Sequence, residues 1–418
     1  GKLSLSVSGT DFDAHIDTLS PVDKSPFLSS KNRSIEGNFI SNYVITAKLN
    51  AKHLIKAGAT FQTIYFDALS FGYEPSYGKY INTLNVKAST ANLFQSFAHW
   101  QYRPAARVTI NSGLHYQNFL LNNTSAIEPR LGLRFQLSPR QNLSVGYGMH
   151  SQMQPLIYYF YDTYNPATDS YHKSNRGLDL LKSHHVIAGY DLNFAKDHRI
   201  KLEAYYQYIY NAPVQKNYNS SFSMINVGNA LEGIPLVDSL ENSGDGRNAG
   251  IEFTIEKFFS NHFYYLATVS VYESKYRGSD RKEHHTSYDG GYVFNTLAGY
   301  ELSVGKSKNK AFSLDLKYTQ SGGNRYTPVD LENSKLAGRA VYRDDEAFSK
   351  KLKDYSRFDV KISYKTNRKR TSQSMFLVVE NIFDTKNILR ESYDPVEQKM
   401  KQEYQLGLFP YFGYKIEF

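Results

Sequence analysis

A period of two recurs in segment after segment of this chain, and it constrains the fold more than any motif does. Over residues 143–150 the apolar set is Leu143, Val145, Tyr147 and Met149, with Ser144, Gly146, Gly148 and His150 between them. Over residues 199–210, Ile200, Leu202, Ala204, Tyr206, Tyr208 and Tyr210 alternate with Arg199, Lys201, Glu203, Tyr205 and Gln207. The split returns at Ile251, Phe253 and Ile255 against Glu252, Thr254 and Glu256. It returns again at Phe312, Leu314, Leu316 and Tyr318 against Ser313, Asp315, Lys317 and Thr319. A helix would scatter these residues around its axis, whereas successive strand side chains point to opposite faces.

Alternation also describes a soluble sandwich, so the connections decide. Short ones at Ala51-Lys52-His53, Ser138-Pro139-Arg140, Ala195-Lys196-Asp197 and Ser260-Asn261 alternate with long polar stretches at 70–91, 154–182, 211–246, 323–354 and 384–401. Loop length sorted by side is a property of up-and-down barrels of the outer membrane. Many strands reach ten or more residues, enough for a tilted bilayer crossing. The expected fold is therefore all-β: a transmembrane antiparallel up-and-down β-barrel spanning 1–418, with about sixteen strands. Its first strand leaves from the periplasmic side and its last returns there. Residues 335–342 read as an extra strand or as loop. Aromatics at strand ends (Tyr65, Phe66, Tyr116, Tyr190, Tyr208, Tyr210, Tyr264, Tyr265, Tyr300, Tyr318 and Tyr364) read mainly as interfacial girdles, with sugar-stacking platforms in the lumen as the rival reading.

Composition agrees where it bears on this. The chain has 35 Tyr and 26 Phe, rings suited to a boundary between oil and water. Mean hydropathy is −0.52, yet a barrel strand shows lipid only every second side chain. A run of ~20 apolar residues, as a spanning helix needs, is absent, and Gly1-Lys2-Leu3-Ser4 has no apolar signal region. Zero Cys removes disulfides and thiol chemistry. The net charge of +9 is scattered among acids; the dense runs, Lys306-Ser307-Lys308-Asn309-Lys310 and Arg368-Lys369-Arg370, fall in expected turns, so nucleic acid is not an expected partner.

The expected last strand runs 402–408 and 413–418, with Tyr404, Leu406, Leu408, Phe412, Tyr414, Ile416 and Phe418 on one parity. Its ending, Tyr414, Ile416 and Phe418, resembles the C-terminal assembly signal of outer-membrane barrels. Further stretches carry a wider resemblance: Glu128-Pro129-Arg130-Leu131-Gly132-Leu133, Gly146-Tyr147-Gly148-Met149-His150-Ser151-Gln152, Gln154-Pro155-Leu156, Glu241-Asn242-Ser243-Gly244-Asp245-Gly246-Arg247-Asn248-Ala249-Gly250-Ile251-Glu252, Val379-Glu380-Asn381-Ile382-Phe383-Asp384-Thr385-Lys386 and Gly407-Leu408-Phe409-Pro410-Tyr411-Phe412-Gly413. In that order they resemble the TonB-dependent outer-membrane receptor family, especially its Bacteroidetes branch. The resemblance implies a barrel of about twenty-two strands around an N-terminal plug. It implies that this chain is the C-terminal part, with plug and first strands absent, so the sheet is not expected to close. It also implies an outer-membrane location among lipid, TonB-dependent import of a scarce ligand, coupling to the TonB complex through the N-terminal region, and a surface lipoprotein as candidate partner. A passive diffusion porin and a docking barrel in a larger assembly are the alternatives.

Arg130, Arg134, Lys201, Glu203, Glu252 and Glu256 are the expected lumen-facing polar residues, and their mixed sign argues against a simple ion-selective ring. The loops at 158–171 and 211–229, rich in Tyr and Asn, are expected to touch ligand first. Neither His184-His185 nor His284-His285 can form a two-ligand strand site, because neighbours point apart. Asp280, Glu283 and Asp289 beside the second pair, and the acidic stretch 238–248, are the metal candidates weighed; the stretch lacks EF-hand order. Ser144 and His150 share a face but stand about 20 Å apart along it. No catalytic residue, metal ligand or cofactor is assigned.

Overall fold

The computed structural model describes residues 1–19, 25–74, 77–216, 219–227, 237–305 and 309–418. Sixteen long strands form one antiparallel sheet in chain order. They are β1 Lys2–Leu19, β2 Pro26–Lys48, β3 His53–Glu74, β4 Lys79–Ala105, β5 Val108–Phe119, β6 Thr124–Ser138, β7 Gln141–Gln152 and β8 Leu181–Ala195. Then follow β9 His198–Gln215, β10 Leu240–Ser260, β11 Phe263–Arg277, β12 Tyr292–Val304, β13 Lys310–Ser321, β14 Tyr355–Asn367, β15 Ser372–Glu380 and β16 Phe409–Glu417. A three-residue strand, Glu283–His285, adds to the outer end of β11. Among the described residues β1 and β16 do not pair, so they are the two edges of the sheet.

The alternation sets the register. Leu202 sits opposite Tyr190 and Phe253, Phe253 opposite Val269, and Val269 opposite Phe294, an unbroken apolar row across five strands. A slip of one residue would turn every such side chain to the wrong face. On β11 the outward apolar run from Phe263 to Val271 covers about 26 Å of strand, roughly 20 Å of bilayer depth once tilted. It stops where Glu273 and Lys275 follow on the same face, paired with each other at 2.7 Å, and Arg247 on β10 pairs with Glu283 at 3.1 Å. These ion pairs mark the external water boundary. Of the expected girdle residues, Tyr208, Tyr265, Tyr300 and Tyr364 lie on this outward face. Phe66 and Tyr264 do not: Phe66 packs inside against Phe160, and the Tyr264 hydroxyl donates to Asp315 at 2.7 Å.

Three further expectations need correction, and one open alternative is resolved. The 70–91 stretch is strand, not loop, because β3 and β4 (22 and 27 residues) overshoot the bilayer as a paired ribbon; residues 75 and 76 lie outside the described residues. Residues 335–342, left open between strand and loop, are the end of a helix followed by loop, with Tyr342 in an isolated bridge to Val329. Leu331–Ala337 is a helix, started by the Asp330 carboxylate accepting from the Asn333 N–H at 3.1 Å and stopped at Gly338, where φ is +63°. The acidic stretch 238–248 is mostly β10, with Asp245 opposite Arg277, so it forms no loop for calcium. Finally, the last strand is interrupted. Lys399–Tyr404 pairs with Ile388–Asp394 in a separate hairpin, and only β16 joins the sheet, placing Tyr414 opposite Met375 and Ile416 opposite Gln373. Phe418 follows the strand's end and is exposed.

The family-like Asn381-Ile382-Phe383-Asp384 segment explains this break. Asn381 is 1% exposed; its backbone N–H donates to Asp359, and its amide both donates to and accepts from the backbone of Thr385 at 3.0 Å. Asp384 accepts from the Leu408 N–H at 3.0 Å. The turn clamps the exit of β15 to the entry of β16. The Lys306-Ser307-Lys308 run lies outside the described residues.

Candidate functional site

The face opposite the apolar belt is polar, and all six expected charged residues lie on it, interleaved with belt residues of β6, β9 and β10. Each has a neighbour there. Arg130 donates to Glu128 at 2.8 Å, Arg134 to Asn142 at 3.3 Å, Lys201 pairs with Glu203 at 2.5 Å, and Glu256 with Arg199 at 2.9 Å. Glu252 accepts from Ser270 at 3.4 Å. Opposite signs are matched within the wall, so it presents no ring of one charge.

Glu128, unremarked in the sequence beyond its place in a motif, is the centre of this wall. It is 1% exposed and receives His115 Nδ1 at 3.0 Å, Gln117 Nε2 at 3.2 Å, the Ser151 N–H at 3.0 Å and the Ser151 hydroxyl at 2.6 Å, besides Arg130. Buried carboxylates persist when so many donors surround them. The hub ties β5, β6 and the end of β7 together.

The long connection after β7 turns inward. Pro155 precedes a one-turn helix, Leu156–Tyr159, whose Tyr158 and Tyr159 are 0% exposed. The Tyr159 ring lies 5.0 Å from Phe119, and Phe160 stacks 5.6 Å from Phe66. Ile64, Leu93, Leu178 and Leu180 complete the core. Ile64, Phe66, Leu93 and Phe119 have the parity of Gln62, Gln95 and Gln117, so they are inner-face residues. Lys173 fastens the segment by donating to the Phe160 carbonyl at 3.0 Å and to Asp162 at 2.8 Å, and the Asp162 N–H donates to Thr83 of β4 at 2.8 Å. At roughly 1.5–3 kcal/mol per buried large side chain, five such side chains contribute on the order of 10 kcal/mol. The segment is a fixed internal shelf. Burial pushes the Tyr158 and Tyr159 hydroxyls up to about 12, so both stay protonated at physiological pH.

The shelf corrects the expected contact loop: Tyr158 and Tyr159 are pillars of a core, not ligand contacts. Tyr164 and Tyr171 sit further out on a short hairpin of Thr163–Asn165 and Ser170–His172, 5.2 Å apart, with Lys79 4.6 Å above the Tyr164 ring. In the other expected loop, 211–215 belong to β9, Ser221 is held by Asp344, and residues 217, 218, 228 and 229 lie outside the described residues.

Beneath the shelf a cavity of about 340 Å³ is lined by Gln95, Gln117, Gln152 and Gln154 together with Leu93 and Met153. A second, of about 430 Å³, opens among the external loops between Tyr326, Phe348, Leu389 and Met400. His284 pairs with Asp280 at 2.7 Å and His285 with Asp289 at 2.5 Å, on opposite faces as expected. Among the described residues no three His, Asp or Glu side chains gather as a metal site.

A two-faced antiparallel meander with an apolar outside, a polar inside and loops sorted by length is an outer-membrane β-barrel protein. The family model described as TonB dependent receptor-like, beta-barrel matches residues 4–382. The chain belongs to the TonB-dependent receptor β-barrel family of the bacterial outer membrane. No curated protein matches the sequence. Among solved structures it is similar to the ferric yersiniabactin uptake receptor FyuA from Yersinia pestis, with TM-score 0.60 and 12% identity over 99% of this chain and 58% of that one. It is also similar to the pyoverdine receptor FpvA from Pseudomonas aeruginosa PAO1, with TM-score 0.65 and 11% identity over 100% and 58%. For the copper transporter OprC the values are 0.64 and 12% over 99% and 62%. At such identities the likeness is one of fold. The chain spans about three fifths of each of these proteins.

Proposed function

We propose that this chain forms the barrel wall of a receptor that imports a scarce ligand across the outer membrane by TonB-dependent active transport. Family membership carries this reading, and the inner face fits it. Arg130, Arg134, Lys201, Glu203, Glu252 and Glu256, mostly held in ion pairs, form a structured lining that a plug or a passing ligand meets without a large net field. The internal shelf narrows the wall rather than leaving a smooth bore, which suits selective passage better than free diffusion. Uptake and liposome swelling by the intact protein test this together. Uptake that stops when the proton-motive force is collapsed, with liposomes staying tight to small solutes, is the expected result. Steady solute flux without energy input would establish a passive pore instead.

A further inference from the structure

We infer that the short-turn rim of this barrel is a contact surface for anionic phospholipids of the periplasmic leaflet, held through their phosphates. It rests on the barrel's place in the outer membrane, not on the import reading. Short turns of such barrels face the periplasm, and here they are basic. Lys48 and Lys52 lie at the β2–β3 turn, Arg103 and Arg107 at the β4–β5 turn, and Arg140 and Lys196 in the β6–β7 and β8–β9 turns. The run Arg368-Lys369-Arg370 fills the turn between β14 and β15. All are exposed, and none of their side chains makes an ion pair or hydrogen bond among the described residues. Among those residues the acids at this level are Asp197 and Glu301, with Glu417 taken by Lys415 at 2.6 Å. Asp191 and Glu256, a little higher on the wall, are taken by Arg199. The external loops differ: Lys79 pairs with Asp169 at 2.6 Å, Lys173 with Asp162 at 2.8 Å and Arg343 with Glu346 at 3.2 Å.

The neighbours of these cations point to a lipid surface rather than to bulk water or an acidic protein. Leu49, Leu137, Phe194 and Phe259 keep the outward parity of their strands down to the turns and are exposed, close in sequence to Lys48, Arg140 and Lys196. Where β3 begins beside the end of β4, Trp100 and Tyr102 stack at 5.2 Å and His53 and Tyr102 at 4.7 Å, next in sequence to Lys52 and Arg103. Interfacial rings of this kind sit at headgroup level, and long cationic side chains beside them reach the phosphates. The basic turns recur from β2 to β15 along the whole rim. A leaflet touches every one of them, whereas a single protein partner covers one patch. Cations as close as Arg368, Lys369 and Arg370 repel one another unless anions lie between them. A zwitterionic headgroup brings its own ammonium beside its phosphate; an anionic one does not, and so it is the class this rim prefers.

The test is fluorescence quenching of the intact protein in dioleoylphosphatidylcholine vesicles, with dibrominated phosphatidylglycerol or dibrominated phosphatidylcholine as the quencher. Trp100 is the one Trp of this chain and lies at the rim, and a Trp100→Phe variant supplies the background from the rest of the protein. The expected result is a binding constant for phosphatidylglycerol about threefold or more above that for phosphatidylcholine at about 0.02 M salt, falling to within about 1.5-fold at about 0.5 M. Lys52→Gln, Arg103→Gln and Arg107→Gln together should bring the low-salt ratio to within about 1.5-fold of one. The same loss of charge in the external loops, by Lys282→Gln, Arg339→Gln and Lys353→Gln together, should leave it unchanged. An unchanged thermal transition checks the fold of each variant; should the rim variant not fold, the salt dependence of the parent decides. The inference is overturned by a parent ratio near one at low salt, which would leave the rim to an acidic periplasmic macromolecule. A ratio that ignores salt, or a folded rim variant that keeps the preference, overturns it as well. Uptake plays no part in the measurement, so failure of the import reading is distinguishable from failure here.

Discussion

The shelf yields a sharp prediction, because its two neighbouring tyrosines differ in one respect. The Tyr159 hydroxyl accepts the Gln154 N–H at 3.1 Å, whereas the Tyr158 hydroxyl is buried with no partner among the described residues. Tyr159→Ala removes a fully buried ring, about 3–5 kcal/mol, and orphans a backbone donor for about 1 kcal/mol more. At roughly 1.4 kcal/mol per decade, the opening equilibrium of the segment should rise about a thousandfold. Tyr159→Phe should raise it about tenfold at most. Tyr158→Phe should lower it severalfold, since a stranded hydroxyl is destabilising by about 1–3 kcal/mol. The readout is amide hydrogen exchange at Tyr158, Phe160 and Tyr161, whose N–H groups donate to Pro155, Leu156 and Tyr158. Exchange in β8 to β11 serves as the internal control, because the sheet ladder does not depend on the shelf. If Tyr159→Ala exchanges within tenfold of the parent, this core does not hold the segment. If Tyr158→Phe exchanges faster, the hydroxyl has a partner and the reasoning fails.

Other outcomes follow from the clamp, the terminus and the external hairpin. Asn381→Ala should lower barrel stability by about 2 kcal/mol, read as an earlier thermal transition in detergent, because half-buried backbone groups of Thr385 lose both partners; an unchanged transition would refute the clamp. Deleting Phe418 should reduce the amount of assembled barrel in the outer membrane while leaving total synthesis unchanged; equal assembled levels would count against the assembly signal. Asp394 is pulled down to about 2, first by its hydrogen bond from Lys401 and then by the Glu397 and Val396 N–H groups. Its folded pKa lies below the unfolded value near 3.9, so its stabilisation is full above that pH and is lost as pH falls through about 2. Proteolysis of the 388–404 hairpin should therefore be flat from pH 7 to about 4 and rise only below; a rise centred near pH 6 would exclude this carboxylate.

Much of the fold was legible because the membrane enforces it. Rows such as Leu202–Phe253–Val269 must be apolar wherever they meet lipid, so parity and strand number could be read directly. The break before β16 could not. Tyr404, Leu406 and Leu408 keep the parity of the final strand, and only the pairing of Lys399–Tyr404 with Ile388–Asp394, with Asp384 holding Leu408, diverts them. The helix at Leu331–Ala337 had its signals, Asp330 before it and Gly338 after it, but no apolar stripe between them. Its stability is local, and periodicity passes over it.

The inner face is harder to read than the outer one, for a physical reason that bears on function. Lipid is uniform, so the outward residues obey one rule along their whole length. The inward residues answer to whatever covers each stretch. Ile64, Phe66, Leu93 and Phe119 break the polar alternation because the shelf lies on them, and that break was the signal in the sequence for an inward-folded segment. Many of the inward charges are matched in pairs, as Arg199 is by Asp191 at 2.5 Å and Glu256 at 2.9 Å, and others by polar neighbours, as Arg134 is by Asn142. Next to the apolar patch, Gln154 lines an open hollow while its backbone N–H donates to the Tyr159 hydroxyl, so what an inward residue meets is set by the local cover and not by parity alone.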